Sequence, residues 1–254
     1  MKCMCLILFA FQKHPKYKLI VAANRDEAYH RPTAPAHFWE DDPDILAGRD
    51  LEKMGTWMGV TKKGRFSALT NFRNPKETTE GKKSRGELVS GALTYQGELL
   101  EYMKTLSKND IHYPGYNLLA GDSDELFYYS NVGKELRRVS PGVYGVSNHL
   151  LDSDWPKVMR GKEGLSKVIS KNKIDTEEVF SLLANAEKAS DELLPNTGVP
   201  LEIERLLSPM FIKSEGYGTR SSTVLLMSDS DIEYIERVFR SDGTSQTQRF
   251  TIKR

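Results

Sequence analysis

Short segments that are apolar outright, or that alternate apolar and polar residues, recur along the chain between turn formers. They are CLILFAF, KLIVAA, WMGVT, RFSALTNF, YNLLAGD, ELFYYSN, GVYGVSN, STVLLMS, IEYIERVF and QRFTIKR, bounded by Gly, Asn, Asp or Pro. A two-residue period sends successive side chains to opposite faces of an extended chain, so these segments read as strands. The stretches SRGELVSGALT, GELLEYMKTLSK, DWPKVMRGKEGLSKVISK and DTEEVFSLLANAEK instead carry apolar residues at three- and four-residue spacing, with Asp175 or Thr176 as N-cap of the last. That is the period of an amphipathic helix. The order is strands, helices, strands, helices, strands. It suits helices packed outside two sheets and fits a parallel-sheet nucleotide fold poorly. Residues 30–44 and 71–84 read as long loops, either covers over a site or surface insertions.

The first two strands bring candidate chemistry together. If QKHPKY turns the chain with His14-Pro15 at its tip, CLILFAF and KLIVAA form an antiparallel hairpin. Setting Phe11 opposite Tyr17 puts Cys5 opposite Ala23 and Cys3 opposite Arg25. The run Asn24-Arg25-Asp26-Glu27 then lies at the open end of the hairpin beside the cysteines. A guanidinium next to a thiol favours the reactive thiolate. The plainer alternative is a small core cysteine beside a solvated charged turn.

Composition narrows the setting. The 254 residues, 39% hydrophobic and 28% charged, read as one domain over 1–254 with a substantial core. With 36 basic and 35 acidic residues the formal net charge is +1, which gives no pull toward nucleic acid or a bilayer surface. CLILFAF is too short to span a membrane and lacks the small-residue site of a signal peptide, so a cytoplasmic protein with no integral membrane segment is expected. Cys3 and Cys5 then stay as thiols. No second Cys pair or His-x-x-x-His spacing completes a metal site, and neither metal nor cofactor is expected.

A cysteine at a chain terminus has a further option. In N-terminal-nucleophile hydrolases the first residue supplies both the nucleophile and, from its own α-amino group, the base. Met4 directly precedes Cys5. Methionine is removed before a small residue such as Cys and generally kept before Lys, so translation from Met4 would expose Cys5 as residue one.

Taken in order, MCLILFAF, LIVAANRDE with Tyr29 and Arg31-Pro32, GTWMGVTKKGRFSALTNFR, SRGELV, GYNLLAGD, GVYGVSNHLLDSDWPKV and YGTRSSTVLL resemble the family named for its Asn-Arg-Asp-Glu motif. It is also called the transport and Golgi organisation family, and it is grouped with the N-terminal-nucleophile hydrolases. The resemblance implies an α+β fold, an αββα sandwich of two antiparallel sheets between helical layers. Penicillin V acylases and bile salt hydrolases of that superfamily cleave amide bonds with an N-terminal cysteine. By analogy with them Cys5 is the nucleophile, and Arg25 and Asp26 orient it, although the acylase spacing would bring the carboxylate nearer Ala28. Asn71 and Asn148 correspond to the asparagines that hold the oxyanion. Arg220 corresponds to a late arginine.

Each has a plainer role. Asn71 and Asn148 could end strands in Asx-turns, and Arg220 could pair with Asp26 or Glu27. His149 reads as a solvated turn residue, and Trp39, Trp57 and Phe38 as core and rim aromatics rather than a pocket lining. Two functions follow from the resemblance. One is a cysteine hydrolase of amidase or acylase type acting on a small-molecule substrate. The other is a non-catalytic binding or trafficking protein for haem or for a lipid or acyl ligand, using the same pocket.

Overall fold

The computed structural model describes residues 4–240 and 242–254, Met4 by its backbone alone; Cys3 lies outside the described residues. Two antiparallel sheets face each other. The first contains β1 (Met4–Phe11), β2 (Tyr17–Ala28), β10 (Gly142–Val146), β11 (Tyr217–Ser228), β12 (Asp231–Phe239) and β13 (Ser245–Lys253), in the order β10-β1-β2-β11-β12-β13. The second runs β3 (Thr33–Phe38), β4 (Ile45–Asp50), β5 (Met58–Thr61), β6 (Phe66–Asn71), β7 (Tyr116–Gly121), β8 (Leu126–Ser130), β9 (Glu135–Arg138).

Side-chain alternation builds the layers. From β1 and β2, Ile7, Phe9, Phe11, Leu19, Val21 and Ala23 point between the sheets and meet Met58, Val60, Phe66 and Tyr128. Leu6, Leu8, Ala10, Ile20 and Ala22 point the other way, onto α3 (Pro156–Ile169) and α4 (Thr176–Leu183). Both faces of these strands are covered, which is why CLILFAF is apolar at every position. On the far side of the second sheet, α1 (Gly86–Thr94) and α2 (Leu99–Lys108) cover Leu69, Leu118, Ala120, Phe127 and Tyr129. The layers are therefore helix, sheet, sheet, helix, as expected. Helix α3 lies close on β1: a Cβ on Gly161 would sit 2.7 Å from the Leu8 side chain. Asp175 is the N-cap of α4, accepting from Glu177 N at 2.9 Å.

Several expectations change. Residues 30–44 are not a loop throughout, because 33–38 form the edge strand β3, whose TAPAHF composition hides the alternation. The short strands β4 and β9 and the helix α5 (Leu201–Leu207) also escaped the pattern. The hairpin register is shifted by two residues toward a longer connection than expected: Phe11 faces Leu19 and Cys5 faces Arg25. The turn closes inside the strands, with Gln12 at φ +50° donating to Lys18 O at 2.7 Å and His14 Nδ1 accepting from Lys16 N and Tyr17 N, both at 3.2 Å. Among the described residues no helix is long and apolar enough to cross a membrane.

Candidate active site

The Asn-Arg-Asp-Glu run is the end of β2, and strand geometry divides its side chains between two faces. Asn24 and Asp26 point to the helical layer, Arg25 and Glu27 to the space between the sheets. Asn24 is structural: Nδ2 donates to Leu183 O (2.9 Å) and Met210 O (2.8 Å), and Oδ1 accepts from Ser222 Oγ (2.6 Å). It ties β2 to the end of α4 and to the segment after α5.

Cys5, 4% exposed, lies across from Arg25 and faces a small space bordered by Ile7, Ala23, Trp57, Leu69 and Thr223. The Arg25 guanidinium stacks 4.1 Å over the Trp57 ring and lies 3.7 Å from Glu27 Oε2. Its Nη1 is buried without a hydrogen-bond partner among the described residues. Glu27 is shared with Arg31, 3.9 Å away, and Arg31 also pairs with Asp50 at 2.6 Å. Beyond Arg25 opens a cavity of about 500 Å³ that also borders Trp57, Leu69, Asn71 and Lys53. A larger cavity of about 690 Å³ near Phe211 and Phe239 shares no lining residue with it.

Asn71 ends β6 at this cavity. Asn148 follows β10 and is fully buried; its Nδ2 donates to Asn71 O at 2.8 Å, and its carbonyl accepts from Arg73 N at 2.7 Å. Asn148 is therefore no local Asx-turn. Ser147 beside it donates to Cys5 O at 2.8 Å, so β1 and the β10 end are held together at the nucleophile position.

Asp26 is opposite Met4 in the ladder and wholly buried. Its Oδ1 accepts from Thr219 Oγ1 at 2.6 Å, and that oxygen accepts from Ile212 N at 2.9 Å. Oδ2 has no hydrogen-bond partner among the described residues. Burial pushes the carboxyl up to about 6, opposed by the charge of Lys157, the Thr219 bond and the charge of Arg25. Lys157, second residue of α3 and 3% exposed, donates to Leu207 O at 3.1 Å. Burial and the charge of Arg73 bring it down to about 8, against Asp26, Cys5 and Glu204.

Other expected residues take different places. Arg220, at a bulge in β11, donates through Nη1 to Ala28 O (2.9 Å) and Arg31 O (3.1 Å), bracing the turn after β2 instead of forming a salt bridge with Asp26 or Glu27. His149 is half-buried instead of fully solvated: its ring packs 5.2 Å from Phe72 and 5.6 Å from Trp155, and burial lowers its pKa. Trp39 is core, stacked by Arg49, and Phe38 is a rim residue. Trp57, weighed as core, also forms the platform under Arg25. Lys157 and Thr219 gave no signal, since nothing about a lysine after Trp-Pro or a threonine in YGTRSS marks it as buried beside a carboxylate.

The fold is that of the N-terminal-nucleophile hydrolases. Two solved structures are similar: a Caenorhabditis elegans N-acylethanolamine-hydrolyzing acid amidase ortholog (TM-score 0.51, 9% identity, 87% of this chain and 92% of that one) and a mutant conjugated bile acid hydrolase from Clostridium perfringens (TM-score 0.52, 12% identity, 98% and 92%). The chain belongs to the Transport and Golgi organisation 2 family, whose family model matches residues 4–241. It is 34% identical over 264 residues to the Transport and Golgi organization protein 2 homolog of Bos taurus, covering 95% of each chain. Against the Homo sapiens homolog it is 34% identical over 279 residues, 98% of this chain and 100% of the other, and against the Drosophila melanogaster protein 30% identical over 266 residues, 92% and 91%.

Proposed function

We propose that the protein is a cysteine N-terminal-nucleophile hydrolase of amidase or acylase type. The observation that carries this reading is the Oδ2 of Asp26, which has no hydrogen-bond partner among the described residues and is buried on β2 opposite Met4. In a chain beginning at Cys5, the α-amino group lies at the junction now occupied by the Met4–Cys5 peptide bond, and Asp26 is the acceptor that would hold it. The amine, neutral at its working pH, takes the thiol proton as Cys5 Sγ attacks the substrate carbonyl. Asn71 supplies an amide donor to the oxyanion. Asn148 has one N–H on Asn71 O, which leaves its second N–H for the same purpose. Collapse of the intermediate expels the leaving amine with that proton, and water then hydrolyses the Cys5 thioester. Arg25, over Trp57, lies across the ladder from Cys5 and at the inner wall of the cavity.

The second reading is binding without turnover, of haem or of a lipid or acyl ligand. Its support is the basic lining of the same cavity, where Lys53, Lys82, Lys83 and Arg85 join Arg25 and suit an acidic group. One experiment separates the two. Protein with Cys5 as first residue is treated with a panel of acyl electrophiles and peptide-mapped. Acylation at Cys5 that turns over, and that Cys5→Ala abolishes, supports the hydrolase; ligand binding with no covalent adduct and no effect of Cys5→Ala supports the binder.

A further inference from the structure

A lysine and an aspartate are buried together beneath the start of β1, on the face away from the cavity. Both are tied to the segment that follows α5. Lys157 donates to Leu207 O, while Asp26 holds Thr219 Oγ1, which holds Ile212 N. Asn24 completes the floor through Met210 O. Neither charged residue reaches solvent, with Asp26 at 0% and Lys157 at 3% exposure. Burying an ammonium group with a single carbonyl acceptor is costly unless a negative charge compensates it.

We propose that Lys157 is a positioning residue of the cysteine site: its buried ammonium keeps Asp26 ionised, so that its Oδ2 can hold the Cys5 α-amino group in place. This rests on the hydrolase reading above. Desolvation alone favours the neutral acid at Asp26, and a neutral acid is a far weaker acceptor for an amine. The groups acting on Asp26 are Lys157 from α3, Thr219 from β11, and Arg25 and Glu27 from its own strand. Lys157 in turn feels Arg73 from the segment after β6, Glu204 from α5, Asp26 and Cys5. Arg73 is already matched by Glu204 at 2.5 Å, and Arg25 is shared with Glu27, so Lys157 is the cation whose charge remains for Asp26.

The test compares wild type, Lys157→Met and Lys157→Arg, each with Cys5 as first residue, in the pH dependence of Cys5 acylation by p-nitrophenyl acetate. Without the ammonium the acid limb moves up by about one pH unit or more, so the Met variant reacts about tenfold more slowly near pH 6 and within about threefold of wild type near pH 8.5. Lys157→Arg, which restores the charge, returns the limb toward wild type. A lysine needed only for packing would lower the rate equally at every pH, and that result overturns the proposal. Carboxyl-carbon NMR of Asp26 reads the same coupling without chemistry at Cys5. An Asp26 midpoint unmoved by Lys157→Met overturns the proposal whether or not Cys5 reacts. If the Met variant does not fold, a wild-type Asp26 midpoint above about pH 8, which leaves the carboxyl neutral at the working pH with Lys157 in place, overturns it. Absence of acylation in wild type at every pH sinks the hydrolase reading instead, and leaves the NMR midpoints to judge the coupling.

Discussion

Arg25 lies over Trp57, its guanidinium carbon 4.1 Å from the ring centroid, directly across the β1–β2 ladder from Cys5. The ring holds the guanidinium from one side, and Glu27 on the same face offsets its charge. Arg25→Ala is expected to lower the rate of Cys5 acylation by about a hundredfold or more, because it removes the charge beside the sulfur and the wall of the cavity. Arg25→Lys should recover little, since an ammonium point charge cannot stack as a plane over the indole. Second-order acylation rates for the two variants check this, and full recovery in Arg25→Lys would reduce the role of Arg25 to charge alone.

Exposure of the Cys5 amine is the second point of attack. Intact-mass analysis of the protein from its native host is expected to find chains beginning at Cys5. Protein expressed from Met4 should acylate rapidly, whereas protein that keeps Met1 to Met4 should be slow, because its Cys5 nitrogen is an amide and cannot accept a proton. Full-rate reaction with Met1 retained would refute the mechanism. His149 would then not be a ready substitute as base, packed as it is between Phe72 and Trp155.

Asn24 invites a stability test separate from the chemistry. Its side chain makes three hydrogen bonds, to Leu183 O, Met210 O and Ser222 Oγ, all buried. Asn24→Ala leaves two carbonyls and a hydroxyl unsatisfied and should cost about 2 to 4 kcal/mol in denaturant unfolding. A change below about 0.5 kcal/mol would show that water replaces the amide without loss.

Asp26 also makes stability depend on pH. Its carboxyl is raised from 3.8 to about 6, so the folded protein binds more protons than the unfolded chain between those values. The associated stability is therefore present below about pH 4 and lost as pH rises through about 6, by about 3 kcal/mol at most. Lys157, lowered from 10.5 to about 8, has the opposite sense: its contribution is present above 10.5 and lost as pH falls through 8. Between roughly 6 and 8 both are charged and both weigh against folding. Asp26→Asn should accordingly gain on wild type as pH rises from 4 to 7 in urea titrations. A constant difference over that interval would place the Asp26 pKa at its ordinary value.

What the sequence determined by itself is the part governed by short-range periodicity. Apolar alternation in β1, β2, β5 to β8 and β10 to β13, and the three-four spacing of α1 to α4, are enough to imply helices outside two sheets. The motif order along the chain carried the family. The edge strands β3, with Pro35 and His37 inside it, and β9 lack that signal, because edge strands are half solvated and do not need apolar residues on alternate positions, while the inner strand β4 has too few apolar residues in ILAGRD to show a period. The tertiary structure alone decided the hairpin register, since it depends on the bonds His14 makes within its turn, and so it alone put Cys5, not Cys3, opposite Arg25. It also sent Arg220 to backbone carbonyls and brought Lys157 and Asp26, 131 positions apart in the numbering, into one dry compartment. Burial at that depth depends on which helix end lands on which strand end, and no spacing along a chain encodes it.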